Sequence, residues 1–320
     1  GLDLRSDPRI YNDKRGLQEL KIENLVLHHY ENSPFGQAMR LALGLKGLPW
    51  KSVEQPDICP KPDLSALTGG YERIPVLQVG ADIYCDTALI VDVLEALKPE
   101  PSLYPEPMGF AGRMIALWSG GLWFMPAVGT ALGTDPSIVS SEFWADRAKR
   151  FGMDREKFLP AVPHLVGQFE AGAALLAESL SDGRDYVCGT SPGHADLLLY
   201  MNIRFVGFAG RQPSDYGLAV KSWYERIDTI GYGDFEEWTG EQAIALAARS
   251  EPAGEYEVEA GSGFQSGDSV AIKTETPDPA AVSGKLIGLS KRRISIERMD
   301  DKAGKVHVHF PRLGQILTPA

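Results

Sequence analysis

The stretch Asn32-Ser33-Pro34-Phe35-Gly36 joins a strand-like run to a helix-like run, and the fold prediction begins there. The apolar run 25–30 is typical of a short buried strand, whereas 33–46 has helical spacing and stops at Gly47. Serine is a favoured N-cap, and proline is favoured at the first helical position. The positive end of the helix dipole would then face Ser33, where it can hold an anion such as a thiolate. An ordinary helix start with no ligand is the alternative.

Composition limits the classes of function. The chain has 320 residues, 43% hydrophobic and 23% charged, which is ordinary for a globular protein of two or three domains. No apolar run reaches the ~18 residues of a membrane span, and no leader resembles a signal peptide. A net charge of −11 argues against nucleic acid as a partner. We therefore expect neither a membrane nor a nucleic-acid partner.

The cysteines and histidines predict a reducing compartment and no metal site. Cys59, Cys85 and Cys188 are scattered without a CxxC pair, and the six histidines form no paired ligand set. Three free thiols of this kind are typical of the cytoplasm, and we expect the protein to be cytoplasmic. No metal cofactor is expected.

Changes in composition divide the chain. Residues 1–20 are polar and are either an arm or a cloning remnant. Residues 21–98 alternate strand and helix signals, and a proline-rich break precedes a mostly helical region, 108–250. Residues 262–320 contain four or five short alternating runs, which predict a small antiparallel β-barrel-like domain of unknown role.

Two further segments carry polar groups at the starts of elements. Pro75, after Ile74, cannot donate to a strand ladder, so it lies at a strand start or edge. A cis bond there would turn the Ile74 main chain outward for an extended peptide ligand, but the sequence leaves cis or trans open. Asp86 and Thr87 open the next helix, where they can hold a ligand ammonium and a ligand carboxylate. An ordinary capping pair is the alternative for Asp86-Thr87.

Together these motifs resemble the glutathione transferase superfamily, over about residues 22–250. Ser33-Pro34-Phe35-Gly36-Gln37-x-x-Arg40 is similar to the first-helix motif of serine-type members, closest to the plant tau class. Arg73-Ile74-Pro75-Val76-Leu77 resembles the family's Lys/Arg-Ile/Val-cisPro-Val-Leu, and Cys85-Asp86-Thr87 resembles its Cys-Glu-Ser. The resemblance implies an α/β thioredoxin-like N-terminal domain followed by an all-α helical domain.

The resemblance also implies glutathione as co-substrate. The Ile74 main chain, next to a cis Pro75, would pair with the cysteinyl unit, and Arg73 would meet a carboxylate or the sulfur region. Asp86 with Thr87 would hold the γ-glutamyl end. Ser33 would donate a hydrogen bond to the sulfur and stabilise the thiolate, with Tyr30 as the alternative catalytic residue.

The second substrate is expected to be a small hydrophobic electrophile. Phe35, Trp118 and Trp123 are candidates for lining its pocket, although aromatic residues at helical spacing are as often domain core. Members of the family are usually dimers, so the resemblance implies a homodimer. A glutathione transferase is the first hypothesis. A non-catalytic glutathione-binding or scaffold protein, and a glutathione-dependent lyase, isomerase or ether-cleaving enzyme, are the alternatives.

Overall fold

The computed structural model describes residue 17 and residues 20–254 and 256–320. The predicted arm or remnant, 1–20, lies almost wholly outside these residues. Contacts divide the chain into two units. The sheet unit holds Leu48–Pro99, Asp234–Ala320 and the described residues up to Tyr30, and the helical unit holds Glu31–Gly47 and Glu100–Gly233.

The first strands and helices alternate along the chain, as predicted for a thioredoxin-like domain. The strands are β1 (Leu25–His29), β2 (Trp50–Glu54), β3 (Val76–Val79), β4 (Asp82–Cys85), β5 (Phe235–Trp238), β6 (Ser269–Thr274), β7 (Ala281–Leu289), β8 (Arg293–Asp300), β9 (Gly304–Pro311) and β10 (Gln315–Pro319). The α-helices are α1 (Pro34–Lys46), α2 (Pro62–Thr68), α3 (Thr87–Leu97), α4 (Gly112–Gly120), α5 (Phe124–Gly133), α6 (Ser141–Phe151), α7 (Arg155–Phe158), α8 (Val162–Ser179), α9 (His194–Val206), α10 (Leu218–Asp228) and α11 (Gly240–Ala248).

The sheet unit is built on one sheet of ten strands. Their order is β10-β6-β7-β8-β9-β4-β3-β1-β2-β5. The pairs β1–β2, β2–β5 and β4–β9 are parallel, and the other neighbours are antiparallel. Every residue of β1 is buried, as expected for a central strand covered on both faces. The thioredoxin-like order β1-α1-β2-α2-β3-β4-α3 is confirmed.

The C-terminal strands extend this sheet, which corrects the prediction of a separate barrel-like domain at 262–320. Their antiparallel β structure is confirmed, but β9 pairs with the outer strand of the thioredoxin-like part through Asp82↔His307 and Tyr84↔His309. Apolar side chains from both parts share one core cluster, which includes Leu64, Leu67, Val76, Ile83, Val270, Leu286, Ile296, Val308 and Phe310. An unpaired β4 would expose a row of main-chain donors and acceptors, and β9 satisfies them.

The helical region ends earlier in the chain than predicted. Residues 234–250 were predicted as part of the helical domain, but they belong to the sheet unit. β5 adds a parallel strand beside β2, and α11 packs Ala243 and Leu246 against Val26 and Val53. The four-residue β5 carries Glu236 and Glu237, which hides it from a search for apolar alternation.

The helical unit contains α1 and α4 to α10 around an aromatic and aliphatic core. The Ser140 side chain caps α6, and α9 begins at His194 after Gly193. Among the residues that the structure describes, one helical stretch, Gly109–Gly133, is by length and composition apolar enough to cross a membrane. Of its most apolar window of 18 residues, 56% is buried within the protein, as in the core helix of many domains.

Candidate functional site

Ser33 is the N-cap of α1, as predicted. Its Oγ accepts the Gly36 N–H at 3.1 Å, and its carbonyl accepts the Gln37 N–H at 2.8 Å. Ser33 is only 3% exposed, and its hydroxyl proton has no acceptor in the part of the chain that the structure describes. A buried hydroxyl with an unused proton at a helix N-terminus is suited to stabilise an anion. Tyr30, the alternative residue, is half-buried.

A loop of the helical unit holds one face of α1. Gln37 Nε2 donates to Tyr232 Oη at 2.6 Å, and the Arg40 guanidinium stacks 3.9 Å from the centre of the Tyr232 ring. One turn further along, a Cβ on Gly44 would lie 2.1 Å from the Gly231 carbonyl oxygen. Gln37 and Arg40 in the first-helix motif therefore fix α1, and with it the position of Ser33.

In the sheet unit, the Ile74–Pro75 peptide bond is cis. Ile74 is half-buried against the apolar cluster, and β3 begins at Val76. Within residues 20–254 and 256–320, no hydrogen bond joins the Ile74 main chain to another group. Its N–H and carbonyl are therefore available to pair with an extended peptide.

The start of α3 combines a strained residue with a capped helix. Asp86 has φ 76° and ψ 141°, and it is the one non-glycine among the described residues with positive φ. Its Oδ1 accepts the Ala88 N–H at 3.0 Å. Burial raises the pKa of Asp86, although this N–H and the nearby Arg73 guanidinium act in the opposite direction. A backbone of this kind costs of order 1–3 kcal/mol, and such strain is concentrated at functional sites. Thr87 is the first helical residue, half-buried beside it.

Arg73 has partners that the sequence did not indicate. Its Nη2 donates to Thr276 Oγ1, and its Nε lies 3.6 Å from Asp278 Oδ2. Both partners lie in the loop between β6 and β7, about two hundred residues further along the chain. The C-terminal strands thus place a carboxylate on one of the predicted ligand-binding residues.

The predicted electrophile-pocket residues fall into two environments in the helical unit. Phe35 is half-buried, with its ring centre 4.7 Å from that of Phe124, and Phe124 stacks on Phe205 at 6.2 Å. A Cβ on Gly120 would lie 3.1 Å from the Phe35 ring, so the glycine allows α4 to approach it closely.

Trp123 lies in the core of the helical unit. It is 2% exposed and stacks between Trp118, at 5.3 Å, and Phe169, at 5.0 Å. Its Nε1 donates to the Phe169 carbonyl, and Gly172 leaves room for the indole. The structure thus gives Trp123 a packing role, and half-buried Trp118 lies at the outer end of the stack.

A chain of buried polar residues in the sheet unit was missed by sequence reasoning. His309 Nε2 lies 3.0 Å from Asp82 Oδ1, and His309 Nδ1 lies 2.8 Å from Ser295 Oγ. Each of the three is at most 1% exposed, so a substrate has no access to this Ser-His-Asp arrangement. Asp82 also accepts the Ala253 N–H. Burial raises the pKa of Asp82 to about 6. The chain of bonds fastens β4 to β8 and β9.

Within residues 17, 20–254 and 256–320, no three His, Cys, Asp or Glu side chains are grouped so that they could hold a metal ion. None of the three cysteines forms a disulfide bond within this described part of the chain.

The geometry agrees with comparisons to known proteins. A family profile described as the N-terminal domain of glutathione S-transferase matches residues 27–102. Glutathione S-transferase U4 of Arabidopsis thaliana is 25% identical over 130 residues, which are 38% of this chain and 57% of that protein. The match thus spans little more than half the length of this curated relative.

Solved structures give a longer match. A GST-like protein from Pseudomonas syringae is 35% identical with a TM-score of 0.74, over 93% of this chain and 99% of that one. A glutathione S-transferase from Methylobacterium radiotolerans, solved in complex with glutathione sulfonate, is 20% identical with a TM-score of 0.50, over 66% of this chain and 96% of its own. Because the Pseudomonas relative aligns over nearly its whole length, the chain belongs to the glutathione transferase superfamily.

Proposed function

We propose that the protein is a glutathione transferase that activates the glutathione thiol through Ser33. The observation that carries the proposal is the Ser33 hydroxyl, which is buried at the α1 N-terminus and accepts the Gly36 N–H while its own proton has no acceptor in the described chain. A free thiol with a pKa near 8.5 is mostly protonated at neutral pH, and the thiolate is the nucleophile. One hydrogen bond with a helix N-terminus can lower that pKa by about 1–2, or about 1.4–2.7 kcal/mol. Ser33 acts electrostatically and is not itself the nucleophile.

The sheet unit supports glutathione as the ligand. The Ile74 main chain, beside the cis peptide bond, is free to pair with the cysteinyl unit. Asp86 offers a carboxylate for the γ-glutamyl ammonium, and the α3 N-terminus at Thr87 suits the carboxylate of the same unit.

A matched pair of serine variants tests the role of Ser33. Ser140 caps α6 as Ser33 caps α1, and its Oγ accepts the Phe143 N–H at the same 3.1 Å. Loss of either cap costs about 0.5–2 kcal/mol of stability. We expect Ser33→Ala alone to raise the thiol pKa of bound glutathione by about 1–2, measured by the ultraviolet absorbance of the thiolate. Ser140→Ala should leave that pKa unchanged.

Two results contradict the proposal. If calorimetry finds no glutathione binding by the wild-type protein, a glutathione-dependent activity is excluded. If Ser33→Ala binds glutathione with an unchanged thiol pKa, Ser33 is not the activating group, and Tyr30→Phe becomes the next variant to test.

The second substrate is proposed to be a small hydrophobic electrophile that meets Phe35 and Phe124. The half-buried aromatic rings of these two residues support an apolar, flat substrate. A panel of aryl halides, epoxides, enals and aryl ethers tests this and separates conjugation from ether cleavage and isomerisation. Binding of glutathione without turnover of any compound would favour a non-catalytic role.

The proposal also includes the oligomeric state of the protein and its location in the cell. We propose a homodimer in the cytoplasm, where the three cysteine thiols would stay reduced. Exposed apolar side chains near α4, such as Met114 at 70% and Leu122 at 77%, support self-association. Light scattering on the wild type and on Met114→Lys measures assembly, and cell fractionation measures location.

A further inference from the structure

The loop between β6 and β7 delivers two polar side chains to Arg73. Thr276 Oγ1 accepts from Arg73 Nη2, and Asp278 Oδ2 lies 3.6 Å from Arg73 Nε. The Asp278 side chain is 9% exposed and that of Arg73 is 23% exposed, so water screens this pair less than a pair at the open surface.

Asp278 is held in a fixed orientation by its own loop. Its Oδ1 accepts the Ala280 N–H at 3.0 Å, which leaves Oδ2 directed at Arg73. The carboxylate is thus preorganised toward the guanidinium.

Arg73 is also close to two residues that we propose bind glutathione, Ile74 and Asp86. It immediately precedes Ile74, and its charge acts on the half-buried Asp86. Two carboxylates of the chain, Asp86 and Asp278, therefore share the field of one guanidinium. A ligand carboxylate that approaches Arg73 must displace Asp278 or share the cation with it, and in both cases the gain from the new contact is reduced.

We propose that Asp278 is a specificity-determining residue of the glutathione site, because it occupies Arg73 with an internal carboxylate and so weakens the binding of a ligand carboxylate. This inference rests on the proposed function, since it takes Arg73 as a ligand-binding residue. It assigns to the C-terminal strands a role in selecting the ligand.

The test is calorimetric binding of glutathione to the full-length chain and its variants. Asp278→Asn removes the charge with little change in shape, and we expect the Kd to fall about threefold to tenfold. Glu275→Gln is the matched control, because Glu275 lies in the same loop and is exposed, and its substitution removes the same charge. Its Kd should stay within about twofold of the wild-type value.

A double variant shows whether Asp278 acts through Arg73. In an Arg73→Ala background, Asp278→Asn should give no further gain in affinity, whereas a general effect of charge would persist. If Asp278→Asn fails to fold, Thr276→Val removes the other loop contact to Arg73 and is also expected to tighten binding.

The outcomes separate the inference from the proposed function. Wild-type binding with an equal or higher Kd for Asp278→Asn overturns the inference and leaves the proposed function standing. A gain that Glu275→Gln reproduces, or that survives Arg73→Ala, also overturns it. If neither the wild type nor Asp278→Asn binds glutathione, the proposed function fails, and the inference fails with it.

Discussion

His28 shows how a single buried residue makes stability depend on pH. Its Nε2 lies 2.9 Å from Gln78 Oε1 and its Nδ1 lies 3.2 Å from Gln55 Nε2, with no exposed surface. Burial lowers the pKa of His28 to about 4. In the unfolded chain the imidazole has its ordinary pKa near 6.5, so it binds a proton below that pH. In the folded protein the same imidazole stays neutral down to about pH 4. The contribution of neutral His28 to the free energy of unfolding is therefore fully present above about pH 6.5. It falls as the pH drops from about 6.5 to about 4.

The variant His28→Gln tests this contribution. Between about pH 7.5 and about pH 5, we expect the wild type to lose about 2 kcal/mol more unfolding free energy than the variant. Urea unfolding at the two pH values measures the difference. His164→Gln, at an exposed position on α8, is the control and should behave like the wild type. Equal losses for the wild type and His28→Gln would contradict the prediction.

For single residues, the sequence predicted only those candidate site residues that belong to a local pattern, such as the start of a helix or strand. Ser33, Pro75 and Asp86 stand at element starts, and each lies where its pattern predicted. The bond between Asp82 and His309 has no local signal in the sequence, because the two residues lie 227 positions apart. The contact of Arg73 with Asp278 is equally non-local, and no periodicity or spacing could have predicted it.

At the scale of elements, two helical glycines differ in the space that surrounds them: Gly44 has no room for a Cβ, whereas Gly167 does. A Cβ on Gly44 in α1 would lie 2.1 Å from the Gly231 carbonyl oxygen, whereas a Cβ on Gly167 in α8 would have no atom within 4 Å. Helix propensity alone favours alanine over glycine by about 1 kcal/mol. The difference between the two sites is therefore one of packing.

We expect Gly44→Ala to lower the free energy of unfolding by about 1–3 kcal/mol, since the loop at 231–233 must move away from α1. Gly167→Ala should raise it by up to about 1 kcal/mol. Thermal unfolding of the two variants beside the wild type measures both changes. A stabilised Gly44→Ala would mean that the loop is not packed against α1 as described.

At the scale of the whole molecule, the sheet links the two ends of the sequence. If the C-terminal strands were a separate domain, a defect in their core would leave β3 and β4 unaffected. Ile296 on β8 is fully buried in the shared cluster, whereas Met299 on the same strand is 71% exposed.

Ile296→Ala should cost about 2–5 kcal/mol and speed amide hydrogen exchange in β3 and β4 as well as in β6 to β10. Met299→Ala should change neither quantity measurably. Exchange followed by mass spectrometry gives the comparison. Faster exchange in Ile296→Ala that is confined to 269–319 would show that the C-terminal strands unfold independently.

The sequence predicted the elements of the C-terminal region but not their attachment to the rest of the sheet. Alternating apolar and polar residues mark β6 to β9, although Arg293–Ile296 of β8 and 308–311 of β9 are buried on both faces. Strand order depends on which edges meet after the chain has folded, and β4 and β9 carry no complementary local signal. The acidic β5 was missed for a related reason, since a short edge strand needs few apolar residues.

The pairing of β4 with β9 has a consequence for synthesis on the ribosome. β4 is made more than two hundred residues before β9. At about 5–20 residues per second, the nascent chain carries an open strand edge for roughly 10–45 seconds. Neighbouring nascent chains on one messenger can pair through such an edge. Slower translation of the codons for residues 262–311 should therefore lower the soluble yield of this protein, although β4 is paired on both sides in the finished sheet.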